Sequence, residues 1–281
     1  MPALLESQLL LPARLAGKLA CPSCRSRLET TGKGLRCAKC GSDYRIVDQI
    51  LDLLAPSPSQ RPEEQDWSNH WAEDRQQSYS QRFFSSYRKA VFARTVRHFT
   101  SRYFAPEGVY VEAGSGTSET SMLVDKSGGR TLVALDLVLP VLARCHPVMD
   151  VRMRGDIFQL PFQDGALDGI WNVGVMEHFL HGQIDAILGE FYRVLRPGGR
   201  VILLWPAVFS VPQRMLRCLE FCINLRNRGS KFQFHPDEIS QLRSVRQGRE
   251  VLQRNRFAAV HVDPGFHSLM AFETLVGEKT Q

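Results

Sequence analysis

The sequence predicts an α/β fold: a mostly parallel sheet with helices on both faces, preceded by a small cysteine-bearing module. Three observations lead there. After Pro106, short apolar runs alternate with segments of helical periodicity. Before residue 55, two Cys-x-x-Cys pairs, Cys21/Cys24 and Cys37/Cys40, fall within twenty residues. Between these regions, Ala55-Pro56-Ser57-Pro58-Ser59-Gln60-Arg61-Pro62 has three prolines in eight residues, and their fixed φ and missing N–H donors suit an extended spacer. The expected division is therefore a module over 1–55, a linker over 56–65 and a larger domain over 66–281.

Bulk properties agree with a globular chain. Its 281 residues are 43% apolar and 23% charged, enough to bury a core without disulfide support. The formal charge of +6 permits an anionic partner without demanding one. Seven cysteines leave one over in any fully paired framework, so a secreted disulfide scaffold is disfavoured and the thiols read as reduced. Cys145, Cys218 and Cys222 stand among apolar neighbours and read as small core side chains. No apolar run is long enough to span a bilayer. The N-terminal stretch lacks a basic n-region and is interrupted by Glu6 and Pro12, unlike a signal peptide. A cytoplasmic location is expected.

Taken in order, the cysteine module comes first. Twelve residues separate Cys24 from Cys37, the spacing at which two Cys-x-x-Cys turns complete a closed tetrahedral site for a structural Zn2+. Gly32, Gly34 and Gly41 suit the tight turns of such a ribbon. The segment continues through Tyr44–Val47 into Ile50-Leu51-Asp52-Leu53-Leu54. With that order of elements it resembles the zinc-ribbon modules related to the small activator subunit of tRNA and protein methyltransferases. From about 66 to 104, Tyr87, Val91, Phe92, Val96 and Phe99 recur at helical intervals, predicting a helix that packs on something larger.

The alternating region follows. Strands are expected over 109–113, 131–135, 168–175 and 200–205, with helices around 118–127, 138–145 and 182–195. Residues 257–262 and 268–276 would complete the sheet as an antiparallel pair. The first strand runs into Glu112-Ala113-Gly114-Ser115-Gly116, where glycines allow a ligand close to the backbone. A dinucleotide fingerprint would need a third glycine at position 119, but Glu119 stands there and would repel a pyrophosphate, so NAD and FAD are disfavoured. The carboxylate of Glu112 points instead to a ligand with a cationic end. Asp136 ends the next strand, twenty residues past Gly116, where an acidic side chain can take ribose hydroxyls.

This Glu-x-Gly-x-Gly pattern resembles the first motif of the class I S-adenosylmethionine (SAM) methyltransferases. So do Asp136, Gly155-Asp156-Ile157 before Leu160-Pro161-Phe162, Asp168–Phe179 with its Glu177-His178, and Leu195-Arg196-Pro197-Gly198-Gly199. The closest likeness is to the small-molecule and quinone-type group. The resemblance implies a Rossmann-like sheet of seven strands, the last antiparallel. It implies that Glu112, Gly114 and Gly116 hold the methionine end of SAM, Asp136 the ribose, and Asp156 and Ile157 the adenine, with Asn172 beside the cofactor. His178 is the candidate general base, because a histidine titrates near neutrality; Glu177, His181, Tyr79 and Tyr87 are weaker candidates. Neither an Asn/Asp-Pro-Pro-Tyr/Phe motif nor a Pro-Cys nucleophile follows the fourth strand, which argues against amino-base and cytosine-C5 methylation.

A lid is expected near 206–245, where Met215, Cys218, Leu219, Cys222 and Leu225 recur at helical spacing opposite Arg214, Arg217, Asn224 and Arg228. Such a lid could also touch a membrane or a lipid-like acceptor. The expected function is methyl transfer from SAM to a small or lipid-like acceptor, the atom left open. The alternatives are methylation of an RNA base, with the ribbon gripping RNA, and a SAM-binding scaffold without chemistry. Nucleic acid is not favoured, because basic residues are dispersed and no aromatic-basic stripe appears. No protein partner is specified.

Overall fold

The computed structural model describes residues 11–15, 17–31, 34–55, 79–206, 208, 221, 224–225 and 239–281, the side chains of 79–89 excepted. The linker over 56–65, the start of the expected helix at 66–78, and Met215, Cys218, Leu219 and Cys222 of the expected lid lie outside the described residues. Among the described residues no helix is long and apolar enough to cross a membrane.

Eleven strands form one hydrogen-bonded series, rather than the seven expected. Four come from the cysteine module: β1 (Leu28–Thr31), β2 (Gly34–Cys37), β3 (Asp43–Val47) and β4 (Ile50–Asp52). The larger region supplies β5 (Gly108–Ala113), β6 (Arg130–Asp136), β7 (Val151–Arg154), β8 (Leu167–Val173), β9 (Leu195–Pro206), β10 (Phe257–Asp263) and β11 (Phe272–Lys279). Their spatial order is β1-β2-β3-β4-β7-β6-β5-β8-β9-β11-β10. From β4 to β9 every pairing is parallel, while β11 runs antiparallel to both β9 and β10, as expected for the final pair. Helices α1 (Tyr79–Tyr103), α2 (Leu139–Leu142), α3 (His181–Val194) and α4 (Val245–Arg254) complete the described elements.

The extra strands arise because β4 lies beside β7, with Ile50 opposite Arg152, Leu51 opposite Met153 and Asp52 opposite Arg154. Without β4, strand β7 would end the parallel sheet with a row of unpaired amides and carbonyls. Arg154 also reaches Asp52 at 3.0 Å, and Leu51 and Leu53 are fully buried. A second seam joins the module at its start: the amide of Ala20 donates to Pro161 O, and that of Gln163 to Lys18 O. Leu19, Leu28 and Leu35 of the module consequently belong to the same core as Val111, Val133, Ile187, Phe191 and Leu203.

The other sheet face packs Phe99 and Phe104, at the end of α1, on Tyr110, Leu132, Trp171 and Ile202. Gly169 makes this possible, since a Cβ there would stand 2.5 Å from the Phe104 ring. The expected helix at 118–127 reduces to one 3-10 turn, Glu119–Ser121. Only nine residues separate Ser118 from Gly128, and they include three hydroxyl side chains that compete for backbone bonds. The helix at 138–145 is likewise short, spanning only Leu139–Leu142. Strand β7 was not among the expected strands: Val151-Arg152-Met153-Arg154 alternates apolar and basic residues, but over only four positions, too short a run to stand out.

Arg130 fastens α1 to the sheet. Its nearly buried guanidinium donates to the carbonyls of Thr100, Phe104, Ala105 and Asp125, bridging the end of the helix to the loop before β6. Replacing Arg130 with Met should lower the unfolding free energy by about 3 kcal/mol, since charge-assisted bonds are each worth roughly 1.5–3 kcal/mol. Urea denaturation followed by circular dichroism measures this, and a loss under about 1 kcal/mol would contradict the role.

Candidate functional site

Glycine-rich turns carry ligands only where the backbone can be approached, and the turn after β5 is fixed for that purpose. Gly114 and Gly116 adopt φ of +70° and +52°, the left-handed region that glycine enters without penalty. A Cβ on Gly114 would lie 2.8 Å from Val175, so this turn packs directly on the one that follows β8. The amides of Gly114 and Ser115 donate to Leu135 O, and the amide of Gly116 donates to Asp136 Oδ2 at 2.8 Å. Asp136 Oδ1 accepts from Val138 N at 2.9 Å. Burial pushes the Asp136 carboxyl above its ordinary range while these amides pull it back. Each of its oxygens keeps a second lone pair for a ligand hydroxyl.

Glu112 lies beneath the turn. Its Oε1 accepts from the Ser121 hydroxyl at 2.6 Å, and Ser121 in turn accepts from Trp171 Nε1 at 3.0 Å. Oε2 is buried with no hydrogen-bond partner among the described residues. Burial is the largest influence on this carboxyl and drives it up to about 7, against the pull of Ser121. A buried carboxylate oxygen of this kind is costly unless a cationic or donor group meets it. Ser121 and Trp171, which orient Glu112, were missed in the sequence because the turn holding Ser121 was expected to be helix.

The loop after β7 forms the next wall. Gly155 N donates to Asp136 O, and Asp156 Oδ1 accepts from Phe158 N at 2.9 Å, leaving Ile157 half-buried at the bend. This loop is held from below by α3: Arg193 donates to the carbonyls of Leu160 and Phe162 and pairs with Glu190, whose Oε1 accepts from Leu160 N. Glu112, Gly114, Gly116, Asp136, Asp156 and Ile157 are thus gathered at the carboxyl ends of β5, β6 and β7, where open α/β sheets bind ligands. Asn172 is not gathered with Glu112. Trp171 pairs with Glu112 in the register, so the next residue, Asn172, faces the opposite side of the sheet. There it is fully buried, with neither amide atom hydrogen-bonded among the described residues.

His178 closes the 3-10 turn Met176–His178 directly after β8, three residues beyond the Val175 that touches the glycine turn. Its Nε2 stands 3.9 Å from Glu177 Oε1. Glu177 O accepts the amides of Ile239 and Ser240, and Ser240 Oγ donates to Met176 O. The two ends of the expected lid also meet each other, since Val208 N donates to Leu242 O and Leu242 N to Pro206 O. His181 opens α3, and the side chains of Tyr79 and Tyr87 lie outside the described residues.

The four thiols form a second centre. Their sulfurs all lie within 4.8 Å of one another, with Cys21 to Cys40 at 3.5 Å and Cys24 to Cys37 at 3.4 Å. Tetrahedral thiolates around Zn2+ stand about 3.8 Å apart, so the donor set suits that ion. The two turns are built alike. Cys21 N donates to Ser26 O and Cys37 N to Ser42 O, and each turn has a left-handed residue just after its second cysteine, Arg25 (φ 61°) and Gly41 (φ 76°). Hydrogen bonds from the hydroxyl and amide of Ser42 draw Cys40 down to about 6, whereas Cys37, against the pull of the Cys40 amide, is pushed up to about 11 by burial and the thiols of Cys24 and Cys40.

Comparison with known proteins bears on this geometry. Residues 111–203 match a family model described as a methyltransferase domain. The chain is 32% identical over 107 residues to a demethylmenaquinone methyltransferase of Thermus thermophilus, covering 36% of this chain and 47% of that protein. It is 35% identical over 96 residues to a malonyl-[acyl-carrier protein] O-methyltransferase of Yersinia pestis, covering 34% of this chain and 35% of that one. The chain therefore spans about half or less of the length of these curated relatives. Among solved structures, magnesium protoporphyrin IX methyltransferase from Synechocystis, with bound SAH, shares the fold at a TM-score of 0.54 and 14% identity, over 77% of this chain and 96% of that one.

The raised Glu112 carboxyl has a measurable consequence. A group whose folded pKa exceeds its unfolded value stabilises the fold at low pH and loses that contribution as pH rises. The window runs from the ordinary value of 4.5 to about 7. Thermal unfolding of the ligand-free chain should therefore fall across this window, and Glu112→Gln should flatten the profile. A profile identical in the two proteins would show that Glu112 does not titrate there.

Proposed function

We propose that the chain is a SAM-dependent methyltransferase acting on a small or lipid-like acceptor. The observation that carries this reading is the bond from Gly116 N to Asp136 Oδ2, which ties a glycine turn to an acidic strand end and so supports a ribose-binding role for that carboxylate beside an approachable backbone. The matched methyltransferase domain spans that pair, and the names of the curated relatives support an acceptor of the quinone or carboxylate kind.

The residues present fit SAM. Glu112 Oε2 offers a buried acceptor to an ammonium, Asp136 two oxygens to vicinal hydroxyls, and Asp156 and Ile157 a polar and an apolar edge to a purine. Bound SAM supplies a methyl group on a sulfonium, whose transfer is an in-line displacement that accurate positioning accelerates. The chain's contribution is to hold the donor between the glycine turn and the loop after β7. Asp136 and Asp156 fix its orientation, and the segment returning at Ile239 and Ser240 helps exclude water. In this reading His178 accepts the proton of a hydroxyl or amine acceptor, with Glu177 beside it to stabilise the imidazolium. A cytoplasmic setting, which keeps the thiols reduced, belongs to the same reading.

Isothermal titration with SAM and S-adenosylhomocysteine tests it. Micromolar binding is expected, weakened at least about tenfold in Asp136→Ala, as the loss of a charge-assisted hydrogen bond implies. A folded chain that binds neither compound would overturn the reading.

Cys21, Cys24, Cys37 and Cys40 hold a structural Zn2+ in this proposal, in a module resembling the activator subunit of other methyltransferases. Because the module borders the loop after β7 on both sides, through β4 and through Ala20, metal should influence the cofactor site. Elemental analysis should give about one zinc per chain. Chelation should lower the melting temperature and weaken SAM binding several-fold. Metal-free protein with unchanged melting and SAM affinity would refute the coupling.

A further inference from the structure

Helix α1 carries six Lys and Arg residues and no Asp or Glu. Its described outer face shows Arg94, Arg97, His98, Ser101 and Arg102, all exposed, while Phe92, Val96 and Phe99 pack inward. Neither Arg94 nor Arg97 forms an ion pair among the described residues. Asp125, a carboxylate on the Arg97 side of the molecule, is itself engaged by the amide and hydroxyl of Ser127. A helix of this length with no acidic residue presents a one-signed field.

Against this helix lies the turn between β10 and β11. The rings of His98 and His267 stack at 4.0 Å, and Thr95 Oγ1 donates to His267 O at 2.7 Å. Flanking His267, the turn exposes three large apolar side chains: Phe266 (72%), Leu269 (55%) and Met270 (40%). Leu269 and Met270 both adopt left-handed backbone, φ 53° and 63°, an uncommon state for bulky residues and more so for two in succession. Such strain persists only where surrounding bonds impose it. Here Met270 N and Ser268 N both donate to Gly265 O, and Ser268 Oγ exchanges bonds with the backbone of Phe272. The turn is therefore rigid and holds its apolar side chains outward.

From this juxtaposition we propose that α1 and the β10–β11 turn form a docking surface for an anionic lipid bilayer. Apolar side chains held outward beside a basic helix match what an interface with anionic headgroups requires: hydrocarbon inserted at the acyl boundary and cations in the headgroup layer. The protruding apolar turn is the feature that favours lipid over nucleic acid, which would be gripped by the charges alone. This surface is distinct from the lid expected at 206–245. Because β10 runs parallel to β9, the turn leaves the same sheet edge as the candidate site, where Leu180 and Ile239 are also exposed beside Glu177. Docking would thus turn that edge toward the bilayer.

Co-sedimentation of the full chain with phosphatidylcholine vesicles, with and without phosphatidylglycerol, tests this without reference to methyl transfer. Binding is expected only with the anionic lipid, declining as salt is raised. Arg94→Gln with Arg97→Gln should weaken it roughly fivefold per charge removed. Phe266→Ser with Leu269→Asn and Met270→Asn should weaken it at least about tenfold, and asparagine tolerates the left-handed backbone at the last two positions. Thermal melts check that the variants fold, and the exposed arginine pair keeps the test decisive if the turn variant does not. No sedimentation with anionic vesicles overturns the proposal. So does binding that the folded variants leave unchanged, or binding that depends on the arginines but not on the turn and is displaced by RNA.

Discussion

A parallel sheet must do something with its outermost strand, whose amides and carbonyls would otherwise face solvent in a flat, pairable row. In this chain the strand at risk is β7, and its partner comes from far back in the sequence: Ile50–Asp52 lies parallel to Val151–Arg154. Much follows from that pairing. It draws the cysteine module into the main core, sets Asp52 against Arg154, and fixes one border of the loop that carries Asp156. The bonds between Lys18–Ala20 and Pro161–Gln163 fix the other border. A module too small to keep a core of its own thus gains one by closing an edge, while the sheet gains a covered flank.

The second constraint is electrostatic. Two carboxyls, Glu112 and Asp136, are buried within one turn of each other's backbone, and burial raises both. The fold treats them differently. Asp136 is compensated by two amides, so it can persist as a charged acceptor. Glu112 receives one hydroxyl and keeps an oxygen without a partner among the described residues. A residue left so incompletely satisfied costs stability, and apolar substitution would relieve it. A ligand cation would complete the set, the role proposed for Glu112 toward the ammonium of SAM.

Legibility in the sequence tracked how local each feature is. The Cys-x-x-Cys turns, the glycines at 114 and 116, and the acidic end of β6 are short-range patterns whose chemistry is written within a few residues, and the structure brings each set together. Features that depend on distant partners were not legible. The pairing of β4 with β7 requires knowing that a strand of two arginines needs a neighbour. The helix expected after Gly116 failed because Ser118, Thr120 and Ser121 favour local bonds and because Ser121 is used by Glu112 and Trp171 instead. Asn172 was placed beside the cofactor by its position in a motif. The alternation of β8 instead turns it away from Glu112, since Trp171 takes the inward position on that face.

Topology explains why the chemistry and the apolar turn share an edge. Strands β5, β6 and β8 deliver their loops at the carboxyl end of the sheet because they run parallel, so that their C-terminal ends share one edge. Strand β11 reverses direction beside β9, and β10 reverses again, so the turn joining them emerges at that same end, with Asp263 level with Thr274 and Leu204. An antiparallel hairpin at the flank of a parallel sheet therefore adds a connection to the functional edge without lengthening any functional loop. Here that connection is short, rigid and apolar, and it is held against a helix that carries only positive charge. The same reversal that terminates the sheet places a distinctive surface beside the candidate site.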